Sequence, residues 1–295
     1  MNKPVIFTGA GIAIITPFKN NQVDFEAYGR IIDDQIARGT DAIVACGTTG
    51  EASTLTDEEH RACIRYAVER VAGRVPVVAG TGSNDTDYSV GLSKYAFEVG
   101  ADAVLLVTPY YNKATPKGMI KNFNTIANAV KKPCILYNVP SRTGCNITTA
   151  VYKELAKNEY IVGTKEASGN LSAIAQMRAE CGDDLAVYSG NDDQIVPILS
   201  LGGKGVISVL SHVVPKETHD IVSLYLEGKV KESCDLQLKL MDLINDLFIE
   251  VNPIPVKTAM GLLGMCSDEL RLPLCEMEEG NKAKLIATMK KHGLL

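Results

Sequence analysis

The sequence predicts an α/β protein, a (β/α)8 TIM barrel with a C-terminal helical appendage. Short apolar runs rich in β-branched residues recur eight times, at 11–16, 41–46, 76–80, 103–108, 133–137, 161–165, 185–189 and 205–209. They are apolar throughout rather than alternating, as parallel strands covered on both faces are. Segments of helical periodicity separate most of them, which gives the βα alternation of a parallel sheet. Strand count alone does not prove closure, and an open doubly wound sheet satisfies the same pattern. In a closed barrel, chemistry belongs at the C-terminal ends of the strands.

The opening Met1-Asn2-Lys3 and the apolar residues after it faintly imitate a secretion signal. Thr8-Gly9 interrupts it, so Ile12-Ala13-Ile14-Ile15 reads as a buried first strand. Asp24 is a plausible helix N-cap for a face of Tyr28, Ile31, Ile32, Gln35 and Ile36, and Gly39 follows the helix end. Thr56-Asp57-Glu58-Glu59 has the form of a capping box before a stripe of Ile64, Ala67, Val68 and Val71. After Glu227 no strand is evident. Leu236, Leu240, Leu243, Ile244 and Leu247 fall at helical spacing, with Leu238, Met241 and Phe248 widening the face, until Asn252-Pro253-Ile254-Pro255 breaks the helix. The division is therefore a barrel over 1–227 and a helical domain over 228–295, whose wide apolar face suits either the barrel or another subunit.

Of the 295 residues, 46% are hydrophobic and the net charge is -5, spread without a basic stripe. That argues against nucleic acid and against an anionic membrane surface. No apolar run approaches a membrane span in length. The eight cysteines form no C-x-x-C pair and no zinc-ligand spacing with the four histidines. Reduced thiols, no metal and a cytoplasmic protein are expected.

The sixth predicted strand ends in Gly163-Thr164-Lys165-Glu166. An amine at the end of a buried strand loses its proton or finds a partner, and a neutral amine attacks carbonyls to form a Schiff base. The bland alternative is a lysine paired with Glu166 or reaching the surface. The fifth strand ends in Tyr137-Asn138-Val139-Pro140-Ser141-Arg142-Thr143-Gly144. It offers a phenol to move protons beside Lys165 and an arginine to grip a carboxylate by two parallel hydrogen bonds. The second strand ends in Gly47-Thr48-Thr49-Gly50-Glu51, whose backbone N–H groups and hydroxyls suit a small carboxylate. Gly80-Thr81-Gly82-Ser83-Asn84-Asp85 lacks the third glycine of a dinucleotide fingerprint. The tyrosines Tyr110 and Tyr111 read as packing or interface residues, and Gly202-Gly203-Lys204-Gly205 precedes its strand and is read as a turn.

In this order and spacing these segments resemble the dihydrodipicolinate synthase and N-acetylneuraminate lyase family, over essentially the whole chain. The match is to the synthase branch, because the sialic-acid lyases lack an arginine at the place of Arg142. The resemblance implies that Lys165 forms an imine with pyruvate and that Tyr137 shuttles protons through Thr48 and a neighbouring subunit's Tyr111. It implies that Thr49 holds the pyruvate carboxylate and Arg142 that of L-aspartate 4-semialdehyde. Gly190 and Ile207 would line the pocket through their carbonyls. It further implies a homotetramer without metal or organic cofactor. A lyase acting on a sialic acid or keto-sugar acid is the alternative. In lysine-inhibited members a separate interface pocket binds the inhibitor; His60, Asn84 and Tyr110 match it, and Ser53 lies on its lining. Tyr88 stands where the sensitive pattern has glutamate, and Ala52 and Asp57 also differ, so weak or absent inhibition is expected.

Overall fold

A computed structural model of the chain describes residues 3–295. The barrel strands are β1 Gly9–Ala13, β2 Ala42–Ala45, β3 Val77–Gly80, β4 Ala103–Val107, β5 Cys134–Asn138, β6 Ile161–Glu166, β7 Ala186–Ser189 and β8 Gly205–Ser208. All pair in parallel, and β8 pairs with β1 to close the ring. Closure excludes the open sheet. Seven strands lie within one residue of the predicted runs at each end. The first does not, because Ile15 turns its N–H to His212 Nε2 (3.0 Å) and leaves the ladder ahead of Pro17. Apolar composition carries no record of where a chain departs from a sheet.

The intervening helices are α1 Phe25–Ala37, α2 Asp57–Val71, α3 Thr86–Glu98, α4 Pro116–Val130, α5 Thr149–Leu155, α6 Leu171–Cys181, α7 Ile195–Ser200 and α8 Pro215–Leu226. The predicted caps form. Asp24 accepts the Ala27 N–H (2.9 Å), and Thr56 and Glu59 exchange both bonds of a capping box (3.2 and 3.0 Å). Each such cap contributes about 1 kcal/mol. Gly39 takes the left-handed conformation after α1 (φ +94°) that a Cβ would disfavour.

Two apolar layers result. One lies between sheet and helices. The other fills the barrel with Ala13, Val44, Val78, Leu105, Ile135 and Ile207 among others. Phe7, just before β1, stacks on Tyr188 (4.4 Å between centroids), and the Tyr188 hydroxyl donates to the Phe7 carbonyl (2.8 Å). These rings pack where the chain enters β1, and the cavity opens at the other, C-terminal ends of the strands, past Ala45, Gly80 and Val107.

Beyond α8 follow α9 Val230–Lys239, α10 Met241–Asp246, α11 Ile254–Leu262 and α12 Glu279–Lys291. The single helix expected over 236–247 breaks at Leu240, and Leu238 and Phe248 face outward rather than widening the core. Polar residues take the buried side of α9 instead. Ser233 donates to the Ile221 carbonyl (2.6 Å), and Gln237 bridges Asp193 and Val196 (2.7 and 2.8 Å). A periodicity count cannot anticipate a face buried through hydrogen bonds.

Candidate active site

The site is built from strand ends. In the β5–β6 register Tyr137 lies opposite Lys165, and across β6–β7 Lys165 lies opposite Tyr188. Side chains of directly opposed residues share a face, and Tyr137 and Tyr188 belong to the barrel interior. Lys165 is only 6% exposed, with Nζ 4.5 Å from the Tyr137 ring centroid. Gly190 lies against it: a Cβ there would come within 2.7 Å of Ala167 Cβ and 3.1 Å of Lys165 Cε, so a side chain at 190 would crowd the lysine stem.

Glu166 takes no part in this. The strand period of two sends it to the opposite face, where it accepts hydrogen bonds from Asn138 (2.9 and 3.1 Å) and Tyr152 (2.8 Å). Burial raises its pKa, and Ser168, Tyr152 and Asn138 oppose that rise. The alternative of a Lys165–Glu166 pair is thereby removed. A different carboxylate feels the charge of Lys165. Asp192, fully buried after β7, accepts from the backbone of Val209 and Leu210 (3.0 and 2.9 Å). Burial raises its pKa, while Ser208, those N–H groups and the charge of Lys165 hold it down.

A cavity of about 430 Å³ opens at the mouth, lined by Gly47, Thr48, Tyr137, Val139, Arg142 and Thr143, among others. The turn carrying Thr48 and Thr49 lies between Cys46 (φ +56°) and Glu51 (φ +51°), both left-handed without being glycine. Each costs roughly 1–2 kcal/mol, so the surrounding structure must impose the conformation. Thr49 is buried, and its Oγ1 accepts from Asn252 Nδ2 (3.0 Å). Arg142 sits on a short helical turn, Pro140–Thr143, exposed at the mouth, and donates to the Asn252 carbonyl (3.1 Å). Asn252 therefore joins the two anion-binding candidates, a link not read from the sequence.

The same cavity continues to Ala52, Ser53, His60, Tyr88 and Tyr110. Asn84 adjoins it, donating to the Tyr110 carbonyl (3.2 Å). His60 hydrogen-bonds the Gly80 carbonyl (2.8 Å), and burial lowers its pKa. Ile207 is enclosed in the barrel interior. Tyr111 stands apart: it is 91% exposed on a left-handed backbone (φ +69°) and does not line this cavity.

The model of the dihydrodipicolinate synthetase family matches residues 6–292. The chain belongs to this family. It is 56% identical to the 4-hydroxy-tetrahydrodipicolinate synthase of Acetivibrio thermocellus over 295 residues, the whole of both chains. It is 54% identical to that of Clostridium perfringens over 290 residues, 98% of this chain and all of the relative. Among solved structures, dihydrodipicolinate synthase from Aquifex aeolicus superposes with a TM-score of 0.96 at 47% identity, covering 98% of this chain and 99% of that one. The synthase of Cyanidioschyzon merolae, solved with lysine bound, gives 0.95 at 39% identity, over 98% and 99%. The family chain is thus an enzyme of the synthase kind, a lyase of lysine and diaminopimelate biosynthesis on a TIM barrel.

Proposed function

We propose that this chain condenses pyruvate with L-aspartate 4-semialdehyde to 4-hydroxy-tetrahydrodipicolinate through a Schiff base on Lys165. The observation that carries the reading is the Lys165–Tyr137 pair, an amine and a phenol fixed side by side on neighbouring strands, the phenol lining a cavity that Arg142 also lines. Lys165 Nζ attacks the pyruvate ketone, water leaves, and the protonated imine acts as an electron sink. A methyl proton is then lost, and the enamine adds to the aldehyde carbon. Tyr137 takes or gives the proton at each transfer, and Thr48 lines the same cavity. Attack by the substrate's own amine closes the ring and displaces Lys165.

Thr49 and the backbone of its turn hold the pyruvate carboxylate, and Arg142 holds that of the semialdehyde. Ile207 and Gly190 wall the pocket and offer their carbonyls. A polyhydroxylated sugar acid would want hydroxyl partners where Arg142 presents a cation, which favours the semialdehyde over a sialic acid. Imine chemistry of this kind needs no metal or organic cofactor. The exposure of Tyr111 supports a role outside its own barrel, completing the proton relay of a neighbouring subunit in a homotetramer. Among the described residues no helix is long and apolar enough to cross a membrane, and the cytoplasm is the expected compartment.

Borohydride reduction with pyruvate should place a pyruvate-derived mass on the peptide containing Lys165, and Lys165→Arg should abolish it. Label on another lysine overturns the mechanism. A coupled assay with pyruvate and aspartate semialdehyde, beside N-acetylneuraminate cleavage, separates the synthase from the lyase.

A further inference from the structure

Glu51 and Lys257 form the most deeply buried ion pair among the described residues, with side chains 1% and 0% exposed and Nζ 2.5 Å from Oε1. Neither lines the cavity. Burial pushes the Lys257 pKa down, and Glu51 opposes this. Desolvating two charges is costly, and apolar residues of the same volume often stabilise a core as well. The placement of the pair points to another use.

Glu51 closes the turn that carries Thr48 and Thr49, on a left-handed backbone that a residue with a Cβ disfavours. Its carboxylate is gripped by Lys257 through Oε1 and by the Arg271 N–H through Oε2 (3.1 Å). Lys257 is itself fixed, donating to the Glu269 carbonyl (2.8 Å) with its ammonium over the Phe18 ring (4.0 Å). The Arg271 guanidinium lies on the same ring (4.3 Å), pairs with both oxygens of Glu59 (2.6 Å each) and donates to the Thr54 carbonyl (3.0 Å). The C-terminal segment thus holds both ends of the short 3-10 turn that follows the two threonines.

We infer that Glu51 and Lys257 are positioning residues, and that their pair enforces the backbone at Glu51 and so sets Thr48 and Thr49 for pyruvate. The C-terminal helices become part of the pyruvate site without touching substrate. This rests on the role given to that turn under the proposed function. The pair acts first on pyruvate binding and enamine formation, since Arg142 stands on a different strand end and meets the turn only through Asn252.

The test uses the full chain and follows exchange of pyruvate methyl protons with D2O by NMR, without semialdehyde, alongside KM for each substrate. Glu51→Gln with Lys257→Met removes both charges at similar volume. Exchange should slow, and KM for pyruvate should rise, by about tenfold or more, with semialdehyde KM within about twofold. Glu51→Gly with Lys257→Met supplies a residue that takes the left-handed conformation unaided, and exchange should recover to within about threefold of the unaltered chain. Wild-type kinetics in the Gln variant, equal losses for both substrates, or a Gly variant no faster than the Gln variant would each overturn the inference. So would failure of both variants to fold, which makes the pair a stability element. Absence of exchange in the unaltered chain overturns the pyruvate reading itself, and the inference with it.

Discussion

Tyr137 and Lys165 face each other in register across β5 and β6, with the lysine ammonium 4.5 Å from the centre of the phenol ring. Both are held by the backbone ladder rather than by loops, and strand-borne groups keep their geometry better than loop-borne ones. On the proposed mechanism it separates the proton-transfer group from the group that forms the covalent bond, so the two can be altered independently.

Tyr137→Phe keeps the ring beside Lys165 and deletes the hydroxyl. Turnover should fall by about 10²–10⁴-fold, the usual range for a general acid–base group. Borohydride trapping of pyruvate on Lys165 should persist at reduced rate. Unchanged turnover would remove Tyr137 from the proton transfers.

Arg142→Ala should leave pyruvate trapping largely intact and raise the semialdehyde KM. A lost charge-assisted pair costs about 1.5–3 kcal/mol, roughly ten- to a hundred-fold in affinity. Initial-rate kinetics at fixed pyruvate measure it. Loss of trapping would assign Arg142 to pyruvate instead.

Lysine inhibition is a third measurement. Tyr88, which the resemblance sets at the place of a glutamate in lysine-sensitive members, lines the cavity, and burial followed by the neighbouring Asp57 pushes its pKa to about 12. It is therefore neutral at pH 7 and cannot pair with an ammonium group. The missing bond is worth about 1.5–3 kcal/mol, so half-inhibition by L-lysine at saturating pyruvate should not occur below about 1 mM. Submillimolar inhibition would show that the pocket works without that carboxylate.

Asp242 pins α10 to the end of α12, pairing with Lys291 (2.6 Å) and His292 (2.8 Å). Burial alone would raise its pKa, but these partners hold it at about 2, below the ordinary 3.8. A depressed carboxylate stabilises the fold above its unfolded pKa and loses that contribution as pH falls through the folded value. Asp242→Asn should lower Tm by about 1–3 °C at neutral pH, with the difference disappearing as pH drops from 4 toward 2. A difference that persists at pH 2 would assign the effect to packing.

Strand and helix alternation, the caps at Asp24 and Thr56, and the strand ends bearing Thr48, Tyr137, Arg142 and Lys165 are legible in the amino-acid order alone. These depend on local chemistry, in which apolar runs, capping side chains and glycines act within a few residues of one another. Closure of the ring, the Tyr137–Lys165 register and the outward turn of Glu166 came only from the tertiary structure, because they depend on which strand lies beside which. The same holds for Asn252 on Thr49 and Lys257 on Glu51, contacts that span about two hundred residues. Lys257 left one local trace, a lysine within the apolar helix Ile254–Leu262, where burial demands a partner. The identity of that partner is fixed by packing, since a buried charge pairs with whatever group the fold brings to it.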